Sequence, residues 1–394
     1  MSEPVEDSPG AAFAAALAGL PGMGPATLVA ILRQWPPEEA WARVCEGSLR
    51  RPDARGRRAE SEQFAWSDDG HPRQPKPAWR DAAGRLDPPQ WWAYHAARGI
   101  RVTWPGHPSY PRALAMDHQL PGVLFWRGSL AWLDSPCVAL VGTRRASPDG
   151  RAVAFEMGRD LAGAGVCVVS GLALGIDAAA HLGALRAGEQ TGAAGPVGVA
   201  ASGVDVVYPR QHARLWGQVV AAGAVLSENL PGRPAQAWRF PSRNRVIAGL
   251  VKMVVVVESH STGGSLITAE AAIARGIDVR VVPGPVHSPA SVGSNQLLYD
   301  GPGPVRNAQD VLDGLGLFLS AAKDRGAPAT SRTENLGAEA RTVLDAVGWR
   351  PTSLNQIVER PGLTAARAMA LLDDLEARGL VGRHHDWWVR RRPS

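Results

Sequence analysis

Between Arg239 and Lys252 the sequence RFPSRNRVIAGLVK gathers four basic side chains, Arg239, Arg243, Arg245 and Lys252, around one aromatic, Phe240. A guanidinium is a rigid planar fork that matches a phosphate and also stacks on rings. Arginines beside an aromatic therefore suit a phosphate chain carrying unstacked bases. Glycines add a second device. Gly263-Gly264 open the run GGSLITAE, and a glycine turn leading into a helix offers backbone N–H groups to an anion at close range. Two acids, Glu258 and Glu270, could act as general base if the ligand were a nucleotide to be cleaved. Asp177 and His181 are four apart, a spacing that places both on one helix face and fits a metal pair or a plain Asp–His helix contact. No dinucleotide fingerprint or Walker loop occurs, and no GxSxG elbow follows a strand, so no cofactor is expected.

These residues need a scaffold that presents several loops at one edge. Apolar runs recur at Cys137–Val141, Val166–Val169, Val197–Ala200, Ala224–Leu226, Met253–Val257 and Val279–Val282, with helical stretches between them. Strands apolar at successive positions suit a parallel sheet covered on both faces. Each run ends in a polar or glycine turn: Gly142-Thr143-Arg144, Ser170-Gly171, Ser202-Gly203, Ser227-Glu228, Glu258-Ser259 and Pro283-Gly284. Loops leaving the carboxyl ends of such strands form the ligand crevice. On this pattern Arg144, Arg145, Arg243, Arg245 and Lys252 supply charge, with Arg239 beside Phe240, while Gly171, Gly264 and the neighbouring Ser265 amide permit close approach.

The flanking sequence divides the 394 residues further. Residues 1–48 read as a small helical domain, two short helices joined at Pro21-Gly22-Met23-Gly24-Pro25, like a helix-hairpin-helix element or a hairpin without DNA contact. Residues 49–90, with Arg50, Arg51, Arg55, Arg57 and Arg58 and recurring prolines, read as a basic linker. Residues 91–318 carry the sheet, 319–335 form a second linker, and 336–394 read as a winged helix. In that last part Ser353 and Gln356 have capping-box spacing, Thr364 opens a helix running to about Arg378, and Trp387–Val389 is β-prone. Its arginines, with Asp373, Asp374 and Glu376 among them, fit a DNA-binding wing or a protein-interaction module equally.

Composition agrees with a globular, multi-domain chain: 45% of residues are hydrophobic, 20% charged, and the formal net charge is +5. All but three of the 42 basic residues are arginine. That excess favours a polyanionic partner, although a compositional bias alone produces it too. Cys45, Cys137 and Cys167 form no CxxC pair and read as reduced core residues. No apolar run reaches membrane-spanning length and the acidic start MSEPVEDSPG is unlike a secretion signal, so a cytoplasmic protein is expected.

Several motifs recur in one order: VGTRRAS (Val141–Ser147), SGLALGIDAAAHLGAL (Ser170–Leu185), VDVVYP (Val204–Pro209), FPSRNRVIAGL (Phe240–Leu250), GGSLITAEAA (Gly263–Ala272), and VPG with GSNQLL (Val282–Gly284, Gly293–Leu298). Together they resemble the DNA-processing protein A family, also called DprA or Smf. The resemblance implies an α/β, Rossmann-like doubly wound parallel sheet that dimerises through this core, binds single-stranded DNA at the sheet edge without catalysis, and loads RecA recombinase in natural transformation. It implies that Arg144 binds phosphate, Ser170 and Gly171 line the pocket, Phe240 stacks on a base, and Arg243 and Arg245 form a basic rim; Arg243 and Asn244 could instead anchor their own loop. Three positions depart from the family pattern: the turn Ala201-Ser202-Gly203-Val204-Asp205, which lacks one glycine, Glu258-Ser259, and His212. Related sheets serve phosphoribohydrolase-like nucleotide enzymes, the enzymatic alternative.

Overall fold

The computed structural model describes residues 10–49, 77–188, 193–317, 336–347, 352–359, 363–378, 380–384 and 387–390. The chain opens with helices α1 (Ala11–Ala18), α2 (Pro25–Gln34), α3 (Pro37–Glu46), α4 (Pro77–Ala83) and α5 (Pro88–Ala96). Strand β1 (Arg101–Thr103), a one-turn α6 (Arg112–Ala115) and β2 (Leu124–Gly128) follow. Strands and helices then alternate: β3 (Cys137–Val141), α7 (Pro148–Gly163), β4 (Cys167–Ser170), α8 (Ile176–Ala187), β5 (Val197–Val199), α9 (Ala213–Ala222), β6 (Ala224–Ser227), α10 (Arg239–Gly249), β7 (Met253–Val256), α11 (Gly264–Ile273), β8 (Asp278–Val281), α12 (Val292–Tyr299), β9 (Gly303–Pro304) and α13 (Ala308–Gly314). All six apolar runs are strands, displaced by at most one residue from their expected ends.

The strands form one sheet in the order β1-β2-β6-β5-β4-β3-β7-β8-β9, parallel from β6 to β9, with β1 and β2 added antiparallel. From β3 the chain winds outward through β4, β5 and β6, then returns to the other side of β3 as β7. The order reverses there, and a reversal opens a crevice because the two flanking loops lead away to opposite faces. Successive residues of β3 serve different layers. Val138 and Leu140 pack with α7 and α8, whereas Ala139 and Val141 pack with residues of α10 and α11. A period of two with every position apolar is what a sheet covered on both faces demands.

The N-terminal helices depart from the expected division. The described residues up to 317 belong to one compact unit. Alanines and Leu17 of α1 share a core with Trp41, Trp79, Trp92, Phe125 and Trp216, so these helices cover the β1–β2 end of the sheet. The described part of the expected linker is largely helical, over Pro77–Ala83 and again from Pro88. Its described prolines begin helices rather than break them: Pro77 is the first residue of α4, and Pro88 follows Asp87, whose side chain accepts from the Gln90 N–H. Trp79 is buried and its Nε1 donates to the Pro21 carbonyl at 2.7 Å, tying α4 to the α1–α2 turn. The basic cluster Arg50–Arg58 and the second linker, 319–335, lie outside the described residues.

The second unit contains α14 (Ala338–Ala346), β10 (Thr352–Ser353), α15 (Leu354–Glu359), α16 (Ala365–Ala377), β11 (Val381–His384) and β12 (Trp387–Arg390). Its sheet has the order β10-β12-β11, with Trp388 buried among Val343, Leu344, Ile357, Leu372 and Leu375. Three helices against a small antiparallel sheet make a winged helix. The caps are the expected ones: the Ser353 N–H donates to Gln356 Oε1 at 3.0 Å, Gln356 N–H returns to Ser353 Oγ at 3.4 Å, and Thr364 accepts from the Arg367 N–H. No helix among the described residues is long and apolar enough to cross a membrane.

Candidate nucleic-acid interface

The crevice between β3 and β7 holds a cavity of about 520 Å³, lined by Thr143, Arg144 and Arg145 after β3, Phe240, Arg243 and Asn244 of α10, and His260 and Thr262 to Ser265 around the start of α11. Its walls are fixed by buried polar contacts. Glu258, just beyond β7, accepts from Ser147 N–H at 2.9 Å and Ser147 Oγ at 2.5 Å, while its own carbonyl accepts from Thr143 N–H at 2.8 Å. Ser147 Oγ also accepts from the Gly150 N–H and so caps α7. Glu258 thereby binds the first loop to the fifth parallel strand, and its carboxylate is not free to act as a base. Glu270 is exposed on α11 and is absent from the cavity lining.

Arg243 is the buried centre of the arrangement. Its Nη1 donates to the carbonyls of Gly171 and Val199, the latter at 2.7 Å, and its Nε donates to Asn244 Oδ1 at 3.0 Å. Asn244 Nδ2 continues to the Gly264 carbonyl at 3.0 Å. Four segments meet on this pair. The guanidinium passes so close to Gly171 that a Cβ there would lie 2.3 Å from Nη1, which explains the glycine. Asp177 faces it and accepts from the N–H groups of Gly171 and Ala173. Burial pulls the Arg243 pKa down to about 10, and it pushes that of Asp177 up against the opposing effect of Arg243. The arginine stays charged at neutral pH and compensates the buried carboxylate.

The outer part of the site is the half-buried Phe240 with the exposed Arg144 and Arg145. The Arg144 guanidinium carbon lies 4.7 Å from its ring centroid, that of Arg243 lies 5.9 Å away, and Tyr208 packs against it at 5.7 Å with the planes inclined by 56°. Among the described residues Arg144 and Arg145 have no carboxylate partner. The first N–H groups of α11, at Gly264 and Ser265, have no acceptor in the preceding turn of the helix, and both residues line the same space. A planar base against an aromatic ring, a phosphate beside free guanidiniums and a second anion at a helix start are the contacts this geometry can make.

The structure thus brings together Arg144, Arg145, Phe240, Arg243, Gly264 and Ser265, with Gly171 in an adjoining cleft of about 40 Å³. Four expected residues sit elsewhere. Ser170 is fully buried and its Oγ donates to the Leu140 carbonyl. The Ser265 hydroxyl is also taken, by Ser259. Arg239 bonds the Pro234 carbonyl and lies over Trp238 at 4.8 Å, facing a neighbouring cavity. Arg245 is paired with Glu228 and Gln119, away from the crevice. It follows Arg243 by two residues, and positions two apart cannot share a helix face. Lys252 precedes β7 and so lies at the amino edge of the sheet, opposite the crevice. Tyr208, His260 and Thr262 join the site without having been singled out, although Tyr208 lies inside the motif VDVVYP.

The metal spacing has another use. Asp177 holds amides, and His181 is fully buried on α8, its pKa pushed down to about 3 by burial. Among the described residues no group of three or more His, Cys, Asp or Glu could hold a metal. Two of the departures from pattern are accommodated locally: His212 Nδ1 lies 3.0 Å from the Leu172 carbonyl, and Asp205 accepts from the Gly232 N–H.

Fold and site define a class: a doubly wound, Rossmann-like α/β protein with a basic, aromatic-bearing crevice at its switch point and a winged helix after it. Residues 101–316 match the family model for DNA recombination-mediator protein A, and residues 327–386 match the DprA winged helix domain. Protein Smf of Synechocystis is 31% identical over 339 residues, covering 78% of this chain and 84% of its own length. DNA processing protein DprA of Streptococcus pneumoniae is 40% identical over 203 residues, 52% of this chain and 70% of that one. The X-ray structure of the S. pneumoniae protein superposes with a TM-score of 0.55 at 34% identity, over 61% of this chain and 82% of the other. The chain belongs to the DNA recombination-mediator protein A family, whose members carry the names DprA and Smf.

Proposed function

We propose that this protein is a non-catalytic, cytoplasmic single-stranded-DNA-binding protein that shelters incoming strands and loads RecA recombinase onto them. The observation that carries the reading is the Phe240 ring, in contact with Arg144 and Tyr208 at the wall of a cavity lined by arginines. Bases can stack on such a ring only when unpaired, so stacking selects single strands while the guanidiniums supply sequence-independent grip. Family membership supports a role in DNA processing. A homodimer formed through the sheet core would join two weak sites on one strand and raise the effective affinity. The nucleotide-enzyme alternative finds less support, because Glu258 is engaged by Ser147 and Glu270 stands outside the cavity.

Two assays test the proposal. Nuclease protection of a labelled single strand should require Phe240 and Arg144, and recombinase-driven strand exchange should accelerate when the protein is added. Protection equal to wild type in both Phe240→Ala and Arg144→Ala would remove the crevice from the account.

A further inference from the structure

The first turn of α10 separates two cavities. One is the crevice already described. The other, of about 420 Å³, lies between α10 and the α1–α2 turn, with Arg233, Trp238, Arg239 and Asn229 on one side and Leu20 to Met23 on the other. Arg243 contributes to both walls. The second groove repeats the chemistry of the first: Arg239 lies 4.8 Å over the Trp238 ring as Arg144 lies 4.7 Å over Phe240.

Trp238 is hard to explain as packing. It is 64% exposed, precedes α10 as its N-cap, and makes no capping hydrogen bond there. An indole is the largest stacking surface a protein has, and leaving it in water is unfavourable unless something covers it. Its surroundings select an anion-bearing partner. Arg233 and Arg239 are near enough to interact, and burial together with the Arg233 charge holds the Arg239 pKa below its ordinary value. The one acid lining the groove, Glu228, is already paired with Arg245. The opposite wall is firm, because Leu20 is buried and Pro21 is tied to Trp79.

We propose that Trp238, Arg239 and Arg233 form a second nucleotide subsite, in which the groove beside the α1–α2 turn takes the base and phosphate adjoining those held at Phe240. The strand would cross the first turn of α10, stacking once on each side, with the buried Arg243 beneath both positions. This rests on the reading of the crevice as a single-strand site. It gives the N-terminal helices a role as one wall of the binding path.

The test uses the full chain and labelled oligothymidylates of about 4 and about 12 nucleotides, lengths spanning the footprint of a single binding fold. Trp238→Ala should weaken the longer oligonucleotide at least about fivefold, as one lost stack predicts, and leave the shorter one within about twofold. Phe240→Ala should weaken both. Trp238→Phe should restore most of the loss, and Arg233→Ala should reduce the salt slope for the longer strand by about one. Trp238 is exposed, so its replacement leaves the fold intact. Wild-type affinity of Trp238→Ala for both lengths overturns the second subsite and leaves the crevice standing. Equal weakening of both lengths overturns it too, by placing Trp238 in the first site. No binding of either length by the wild-type chain removes the crevice reading and the subsite together.

Discussion

The two compact units spend their arginines differently. In the first, Arg144 and Arg145 face a cavity without a carboxylate partner among the described residues. In the winged helix, Arg367 lies 2.7 Å from Glu339, Arg378 lies 2.9 Å from Asp374, and Arg390 lies 3.6 Å from Asp345. Such surface pairs add little stability, yet each cancels its own field. Net charge and arginine count therefore do not locate a polyanion site; unpaired arginine beside a stacking surface does. Within the first unit the contrast recurs at short range, since Arg144 beside the Phe240 ring has no carboxylate partner among the described residues, whereas Arg243 near the same ring is consumed by carbonyls.

The largest effect should come from the consumed arginine. Arg243→Ala leaves Asp177 buried without its counter-charge and two carbonyls unpaired, so urea denaturation should show a loss of about 3–5 kcal/mol. Arg144→Ala should leave that midpoint unchanged, and equal midpoints for the two variants would erase the distinction. Acid separates the units next. His181 titrates near 3 in the folded first unit, against about 6.5 when unfolded. Below the unfolded value the unfolded chain binds a proton that the folded one refuses, so stability falls as pH falls. The decline should be about 1.4 kcal/mol per pH unit between about pH 6 and 4, and His181→Gln should flatten it. An unchanged acid profile in that variant would assign the sensitivity elsewhere.

Binding effects follow in size. Phe240→Ala should cost about 1–3 kcal/mol of single-strand affinity by anisotropy. Arg144→Ala should cost less and should reduce the slope of log affinity against log salt by about one, the mark of a single phosphate contact. Arg367→Ala and Arg378→Ala in the winged helix should change affinity by less than about twofold, since these two arginines are already paired with carboxylates. A loss in these as large as in Arg144→Ala would break the comparison between the units.

Much of this was legible in the sequence. Parallel strands buried on both faces must be apolar at every position, so Cys137–Val141 and its five counterparts announced themselves, and their turns marked the crevice. The glycine pair at Gly263-Gly264 and the Arg–Phe stretch of α10 also carried their own chemistry. What could not be read was the partition of charge. Nothing in FPSRNRV separates Arg243, buried under carbonyls of β4 and β5 loops, from an arginine facing solvent, because its partners lie 72 and 44 residues away. The direction of Arg245 was available from helical spacing, and that of Lys252 from its place before a strand. The helix containing Trp79 was hidden because prolines that begin a helix look like prolines that prevent one.

The central claim is that a stacking ring at the carboxyl edge of the sheet makes this a single-strand binder. It is tested most directly by fluorescence anisotropy of single-stranded and duplex DNA of equal length across a salt series, with wild type and Phe240→Ala side by side. The account predicts a single-strand preference in the wild type that collapses in Phe240→Ala, with a steep salt slope retained in both. A duplex preference in the wild type, or an undiminished single-strand preference in Phe240→Ala, would contradict it.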